Sequence, residues 1–456
     1  MIVLAAAAAL ASANVARPAE RWTKTVRPGI TYIQEISADA PLIVHALKFK
    51  FPAAGIRLES RIANDDVYGR DESSSRETVE QTARRTGAFA AVNADFFGWD
   101  GDPLGMMMTA GELVSEPYVP RSAVAWSDGG LLFDSPRWSG SLMLIDGTSF
   151  AIDGVNRSAR DNEIIVNTRR AGVASSKQPC YAFVFEPTMP IALGATTPVK
   201  LKNIFPETYN LPVAENQIIL MVTARRYKPM VGHFHVGLVY EIRLSVSGQI
   251  EWRAMKEAAG GGPRLVKGGQ PYLTNLYEKF DSGYAKRHPR TAIGYTASDE
   301  AIICVVEGRS SLSRGVTLDE LALLMIKLGC SDAMNLDGGG SSTMYLGGVV
   351  VNRLSDGAAR RVASTLLLYA PQAAAPSTQI SIVAKPGDVR PGDTTTMKLI
   401  DGVGVAIPDQ EVVWSCTSGS GWIDAGGTFR ALSSGTARVK AIARGAEASV
   451  DIRISE

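Results

Sequence analysis

Two distant segments of this 456-residue chain run the same course. In the first, Gly87 is followed four residues on by Ala91-Val-Asn93-Ala-Asp95; in the second, Gly329 is followed by Ala333-Met-Asn335-Leu-Asp337, without a gap. A capping-box pattern precedes each, Ser74-Ser-Arg-Glu77 and Thr317-Leu-Asp-Glu320, and predicts a helix. The second helix carries Leu318, Leu321, Met325 and Leu328 on one face, and the first ends at a C-cap glycine, Gly87. After each Asn-x-Asp come two short apolar runs about a glycine turn (105–114 and 343–351), then a run led by arginine, Arg121-Ser-Ala-Val-Ala-Trp126 or Arg361-Val-Ala-Ser-Thr-Leu366. Such self-similarity predicts two helix–strand–hairpin units packed about a pseudo-twofold axis. Both Asn-x-Asp strand ends then face one cleft. A weaker third echo, 260–269 followed by His288-Pro-Arg-Thr-Ala-Ile-Gly294, has the hairpin and the arginine-led strand but no capped helix.

On a strand, residues two apart point to the same side, so Asn335 and Asp337 form a pair, as do Asn93 and Asp95. Gly338, Gly339 and Gly340 leave room for a close ligand or backbone. Ser341, Ser342 and Thr343 add hydroxyls and N–H groups suited to an anion or sugar. Taken alone, Asp337-Gly-Gly equally describes a tight turn after a buried strand.

The length implies two or three domains. The 45% apolar and 20% charged residues and formal charge of +1 describe an ordinary globular chain, with no basic stripe for nucleic acid and no acidic tail. Residues 1–16 read as a signal peptide: Ile2-Val-Leu-Ala-Ala-Ala-Ala-Ala-Leu10, then Ala11-Ser-Ala13. Export is expected, with no stable membrane span. Residues 20–370 form one β-rich catalytic domain, with further strand-like runs at 140–250 as an insertion between the half-repeats. Residues 371–378 (Pro-Gln-Ala-Ala-Ala-Pro-Ser) read as a linker. Short β runs recur through 379–456, as in a small immunoglobulin-like sandwich acting as spacer or attachment module. The fold class is therefore α+β with a small all-β module. Cys180, Cys304, Cys330 and Cys416 are too few for a disulfide scaffold and lack zinc spacing; Cys304 with Cys330 is the first pair to examine for a bridge.

Five motifs occur in order: Asn93-Ala-Asp-Phe-Phe97, Gly261-Gly-Pro-Arg-Leu-Val266, Arg287-His-Pro-Arg-Thr-Ala-Ile-Gly294, Val305-Val-Glu-Gly-Arg309 and residues 335–342. Together, over residues 70–370, they resemble the phosphodiester glycosidase family. Glu307 departs from the aspartate found in many relatives. The resemblance implies hydrolysis of the sugar C1–O bond of a GlcNAc-1-phosphodiester-like phosphoglycan, with no cofactor, metal or nucleic-acid partner.

That chemistry needs carboxylates flanking the anomeric carbon, and Asp95, Asp337 and Glu307 are the candidates. A phosphate leaving group departs as a weakly basic anion, so cationic and hydrogen-bonding stabilisation matters more than a strong general acid. Arg290 with Thr291 suits a bidentate clamp, and Arg309 and Arg264 stand in reserve. Asn93, Asn335, Gly262, Gly338, Gly339, Ser341 and Ser342 complete the expected substrate contacts. For several residues a structural role competes: Arg290 pairing a carboxylate, Asp95 capping its turn, Glu307 bridging a strand end. His288 precedes a proline in a loop. Met106, Met107 and Met108 read as core. Two other functions compete: a non-catalytic envelope glycan-binding protein, and a metal-dependent phosphodiesterase using His233 and His235, which lack a third ligand at telling spacing.

Overall fold

The computed structural model describes residues 19–37, 40–69, 75–281, 283–371, 379–384 and 389–456. The expected signal peptide and nearly all of the expected linker lie outside them. The chain is β-rich with two longer helices, Val79–Thr86 and Leu318–Lys327. An eight-stranded antiparallel sheet runs in the order Glu20–Arg27, Ile30–Ser37, Leu42–Lys50, Glu300–Val306, Arg290–Thr296, Cys330–Asn335, Arg264–Lys267, Gln270–Pro271. The helix Leu318–Lys327 buries Leu318, Leu321 and Met325 against Leu265, Val266 and Ala333 of this sheet. Thr317 and Glu320 cap it reciprocally, as expected.

The other expected capping box is displaced. Ser74 lies outside the described residues. Glu77 and Thr78 pair in a short ladder with Arg361 and Val362, so the backbone is still extended there. The helix begins afterwards, capped by Thr78 with Gln81, and ends at Gly87 in the left-handed region (φ 74°).

Strand pairing replaces the pseudo-twofold expectation with a three-way exchange. Ala90–Asn93, leading to Asp95, lies between Met344–Leu346 and Ser364–Tyr369, both from the segment after Asp337. Cys330–Asn335, leading to Asp337, lies between Arg264–Lys267 and Arg290–Thr296, both from the segment after Gly262. Glu257–Gly260 lies between Met107–Thr109 and Ala123–Trp126, both from the segment after Asp95. What looked in the sequence like a faint echo is the third member of the cycle. A 3-10 turn, Trp252–Ala254, precedes it where the other two have a helix.

Eight strands between Arg137 and Ser247 make one sheet of the insertion, whose core (Phe183, Phe185, Leu220) is continuous with Met106, Met108 and Ala258 of the main body. Residues 379–384 and 389–456 form three small sheets over their own core, including Phe429 and Trp414. This module is docked, where the sequence suggested a spacer. Val413, Ala425 and Ile442 join the main core, with Trp22 packed against it. Buried Lys24 donates to the carbonyl oxygens of Val412 (2.8 Å) and Ala425, and the Ala425 N–H donates to Gln34 Oε1 (2.6 Å).

All four cysteines are free and buried. Arg290–Thr296 runs between the strands of Cys304 and Cys330. Two strand spacings, about 9.6 Å, exceed the Cα separation that a disulfide spans.

Candidate active site

The three strands of the cycle end side by side, and their backbones interlock there. The Asp337 N–H donates to the Ala94 carbonyl (2.9 Å), and Asn93 Nδ2 donates to the Asp337 carbonyl (2.6 Å). The Gly262 N–H donates to the Asn335 carbonyl (2.7 Å), and Asn335 Nδ2 donates to the Gly262 carbonyl (2.8 Å). Each asparagine thus fastens the end of its own strand to the next. Asn93 is fully engaged, its Oδ1 also accepting from the Thr291 hydroxyl (2.8 Å) and the Thr343 N–H (3.2 Å). Asn93 and Thr291 are therefore internal braces, not substrate contacts, because their polar atoms already have partners. Asn335 keeps one buried Oδ1 without a partner among the described residues.

This interlock delivers Asp95 and Asp337 to one place. Asp95 is buried, with its carboxylate accepting from the N–H groups of Phe96 (2.8 Å) and Gly105 (2.7 Å). Burial pushes its carboxyl up to about 7, against the pull of Arg121 and the two N–H donors, and the Asp337 charge adds to the rise. Half-buried Asp337 accepts from the Gly338 N–H (2.8 Å). Burial also raises it, to about 6, while the neighbouring Ser341 hydroxyl, the Gly338 N–H and the Arg360 charge favour its ionised form. Ser341 does this by proximity, without the geometry of a formed hydrogen bond. Two close carboxyls with raised proton affinities are a functional-site signature.

Gly260 fits the third strand end against Asp95. A Cβ there would lie 2.8 Å from Asp95 Cγ and 2.9 Å from Gly105 Cα. Gly260→Ala is expected to push the carboxyl off its two N–H donors and to destabilise the fold by about 1–3 kcal/mol. Thermal denaturation checks this, and an unchanged melting temperature would contradict the packing described.

Arg290 is buried and bonds backbone carbonyls: Val316 (3.3 Å), Lys286 (2.8 Å) and Tyr284. It has no carboxylate partner among the described residues, and its Nη1 remains open. Burial lowers it to about 10. Gly338 lies against its side chain. Arg309 stands on the rim with Asp356 and His288 (3.4 Å each) and touches Gly339, whose N–H donates to the Pro289 carbonyl (2.9 Å). The hydroxyls of buried Ser342 and Thr343 have no partner among the described residues. Gly262 sits at φ 112° against Glu278 and Phe280, a packing position.

Glu307 is not with the aspartates. It is buried, with Oε1 bonded to His45 Nε2 (2.9 Å) and the Arg353 N–H (2.8 Å), while His45 Nδ1 meets the Tyr32 hydroxyl (2.8 Å). Its charge is absent from those acting on Asp337. Strand pairing, Val305 opposite His45, turns it to this buried chain, so the sequence expectation of a third catalytic carboxylate is corrected. His233 faces Asp146 (3.7 Å), and among the described residues no group of three or more His, Cys, Asp or Glu gathers as metal ligands.

The sequence reading missed Arg121. Its guanidinium lies 4.6 Å from the Phe280 ring centre, 5.0 Å from Tyr118 and 5.1 Å from Phe96, while Nε and Nη1 are buried without partners among the described residues. It acts on Asp95 and on Tyr284. The signal was present: Arg121 leads its run as Arg290 leads another.

Residues 214–369 match the phosphodiester glycosidase family. A stretch of 107 residues is 37% identical to the SPbeta prophage-derived protein YomE of Bacillus subtilis, covering 24% of this chain and 16% of that one. Another, of 94 residues, is 32% identical to N-acetylglucosamine-1-phosphodiester alpha-N-acetylglucosaminidase of Bos taurus, covering 19% of this chain and 18% of that one. The chain thus spans under a fifth of the length of these relatives. A crystal structure of a protein from Synechocystis shares the fold, with a TM-score of 0.64 at 22% identity over 78% of this chain and 64% of that one.

Proposed function

Because the chain belongs to the phosphodiester glycosidase family, we propose that it is a hydrolase cleaving the C1–O bond of a sugar-1-phosphodiester, GlcNAc-1-phosphodiester-like, within an envelope or extracellular glycan. One observation carries this reading: Asp95 and Asp337 meet beneath two arginines, Arg121 and Arg290, that keep unpartnered N–H groups and have no carboxylate partner among the described residues. A phosphodiester fits between such cations, and a sugar ring fits against the carboxyls. As C1–O breaks, both electrons leave on the phosphate-side oxygen, where Arg121 and Arg290 stabilise them. Asp337, whose surroundings favour the anion, faces the cationic anomeric carbon. Water finally supplies hydroxide to C1 and a proton to the phosphate monoester. Asp95 serves this best when protonated, because a second buried carboxylate would repel the substrate anion.

Activity is therefore expected to rise as pH increases through about 6, when Asp337 ionises, and to fall above about 7, when Asp95 loses its proton. A pH profile of kcat/KM tests this, and a plateau from pH 7 to 9 would remove the protonated role of Asp95. The reaction itself is tested with the methyl diester of GlcNAc-1-phosphate. Free GlcNAc with methyl phosphate is the expected product pair. GlcNAc-1-phosphate with methanol would place cleavage at the wrong bond, and binding without turnover would favour a glycan-binding role. The extracytoplasmic setting and the immunoglobulin-like character of 379–456 belong to this proposal, supported by the signal-like residues 1–16 and the small docked sheets.

A further inference from the structure

A second cleft, of about 360 Å³, opens where the insertion meets the main body. Its size suits a monosaccharide-scale ligand. Arg137, Gln249, Arg264, Lys267, Tyr272 and Tyr277 line it. The charge in it is one-sided. Arg137 and Lys267 have no ion-pair partner among the described residues. The one carboxylate in the wall, Asp134, is turned inward and accepts from the Ser135 and Gln249 N–H groups (2.7 and 2.8 Å) and from Trp252 Nε1 (2.9 Å). Arg264 is fixed on the floor: Nη2 pairs with Asp332 (2.6 Å), its guanidinium lies 4.7 Å from the centre of the Phe133 ring, and its Nε is buried without a partner among the described residues. A chain with a formal charge of only +1 has gathered three cations here.

Two features make this a place for a sugar as well as an anion. Tyr272 and Tyr277 are 46% and 60% exposed, large rings left in solvent at the rim. An aromatic face packs the C–H side of a pyranose while its hydroxyl binds at the edge. Lys267 Nζ sits 5.3 Å from the centre of the Tyr272 ring, which couples the charge to that face.

The cleft also shares a wall with the aspartate site. Ser122 lines it and follows Arg121 directly. Glu278 ties the two together, accepting from the Ser122 N–H (3.0 Å), the Ser122 hydroxyl (2.7 Å) and the Arg264 N–H (3.1 Å) while packing against Gly262.

We infer that this cleft is a binding site for a phosphorylated saccharide, with Arg137, Arg264 and Lys267 on the phosphate and Tyr272 and Tyr277 on the ring. Identifying that saccharide as the leaving-group side of the substrate rests on the hydrolase reading; the binding itself does not.

The test is calorimetric titration of the wild-type protein with glucose 6-phosphate, which has no diester to cleave, alongside glucose and inorganic phosphate. Glucose 6-phosphate is expected to bind at least about five-fold more tightly than either fragment. Arg137→Ala with Lys267→Ala, at exposed positions, is expected to weaken it about ten-fold or more, a loss of about 1.4 kcal/mol. Tyr277→Ala is expected to weaken glucose 6-phosphate and leave inorganic phosphate unchanged. Equal affinity for inorganic phosphate and the sugar phosphate would overturn the saccharide assignment. Undiminished binding in the double variant, with its melting temperature intact, would overturn the site. The methyl diester assay is read separately, so the cleft and the hydrolase reading can fail independently.

Discussion

Asp337→Asn is expected to lower kcat for the methyl diester by about 10³-fold, about 4 kcal/mol of transition-state stabilisation, with a circular dichroism spectrum and melting temperature close to wild type. The amide keeps an oxygen for the Gly338 N–H, so the local turn survives. What disappears is the negative charge that Ser341, Gly338 and Arg360 favour, and with it the electrostatic support of a cationic anomeric carbon. The same substitution removes the like charge that raises Asp95, so the residual activity should decline at a lower pH than in wild type. Full activity in a folded Asp337→Asn protein would sink the assignment of this site.

Ending the chain at residue 371 is expected to destabilise the remaining body by about 5 kcal/mol, from roughly 2 kcal/mol for each of three large apolar groups brought to water. The groups are those shared across the junction, Val413 and Ile442 lost from the core and Trp22 uncovered. Lys24 also loses both its carbonyl partners. With a body of this size the melting temperature should drop by about 10 °C, measurable by differential scanning calorimetry. An unchanged transition would mean that the module is an independent attachment.

Much of the site was legible because its signal is local. Gly87 to Asp95 and Gly329 to Asp337 match residue for residue, and a matched helix end, strand and Asn-x-Asp fix where each carboxyl emerges. The third strand end was obscure because Gly260 stands where chemistry would have marked it; its role is to leave room for Asp95. Glu307 was misread for a different reason. Its partner His45 lies on a strand 262 residues away, and cross-strand register is not written in either sequence. Asn93 and Asn335 were correctly placed but given substrate contacts, because sequence shows a polar group and not whether the fold already satisfies it.

The exchange of strands among three segments also sets an order on synthesis. The strand Ala90–Asn93 has as its neighbours Met344–Leu346 and Ser364–Tyr369, which leave the ribosome about 250 residues later. At about 5–20 residues per second, both its edges wait roughly 13–50 s for a partner. The strand is Ala-Ala-Val-Asn, with nothing charged to guard those edges. The nascent chain must therefore hold an unpaired apolar strand until almost the whole main body has been made, so translation rate and chaperone supply, more than native-state stability, govern the yield of active protein.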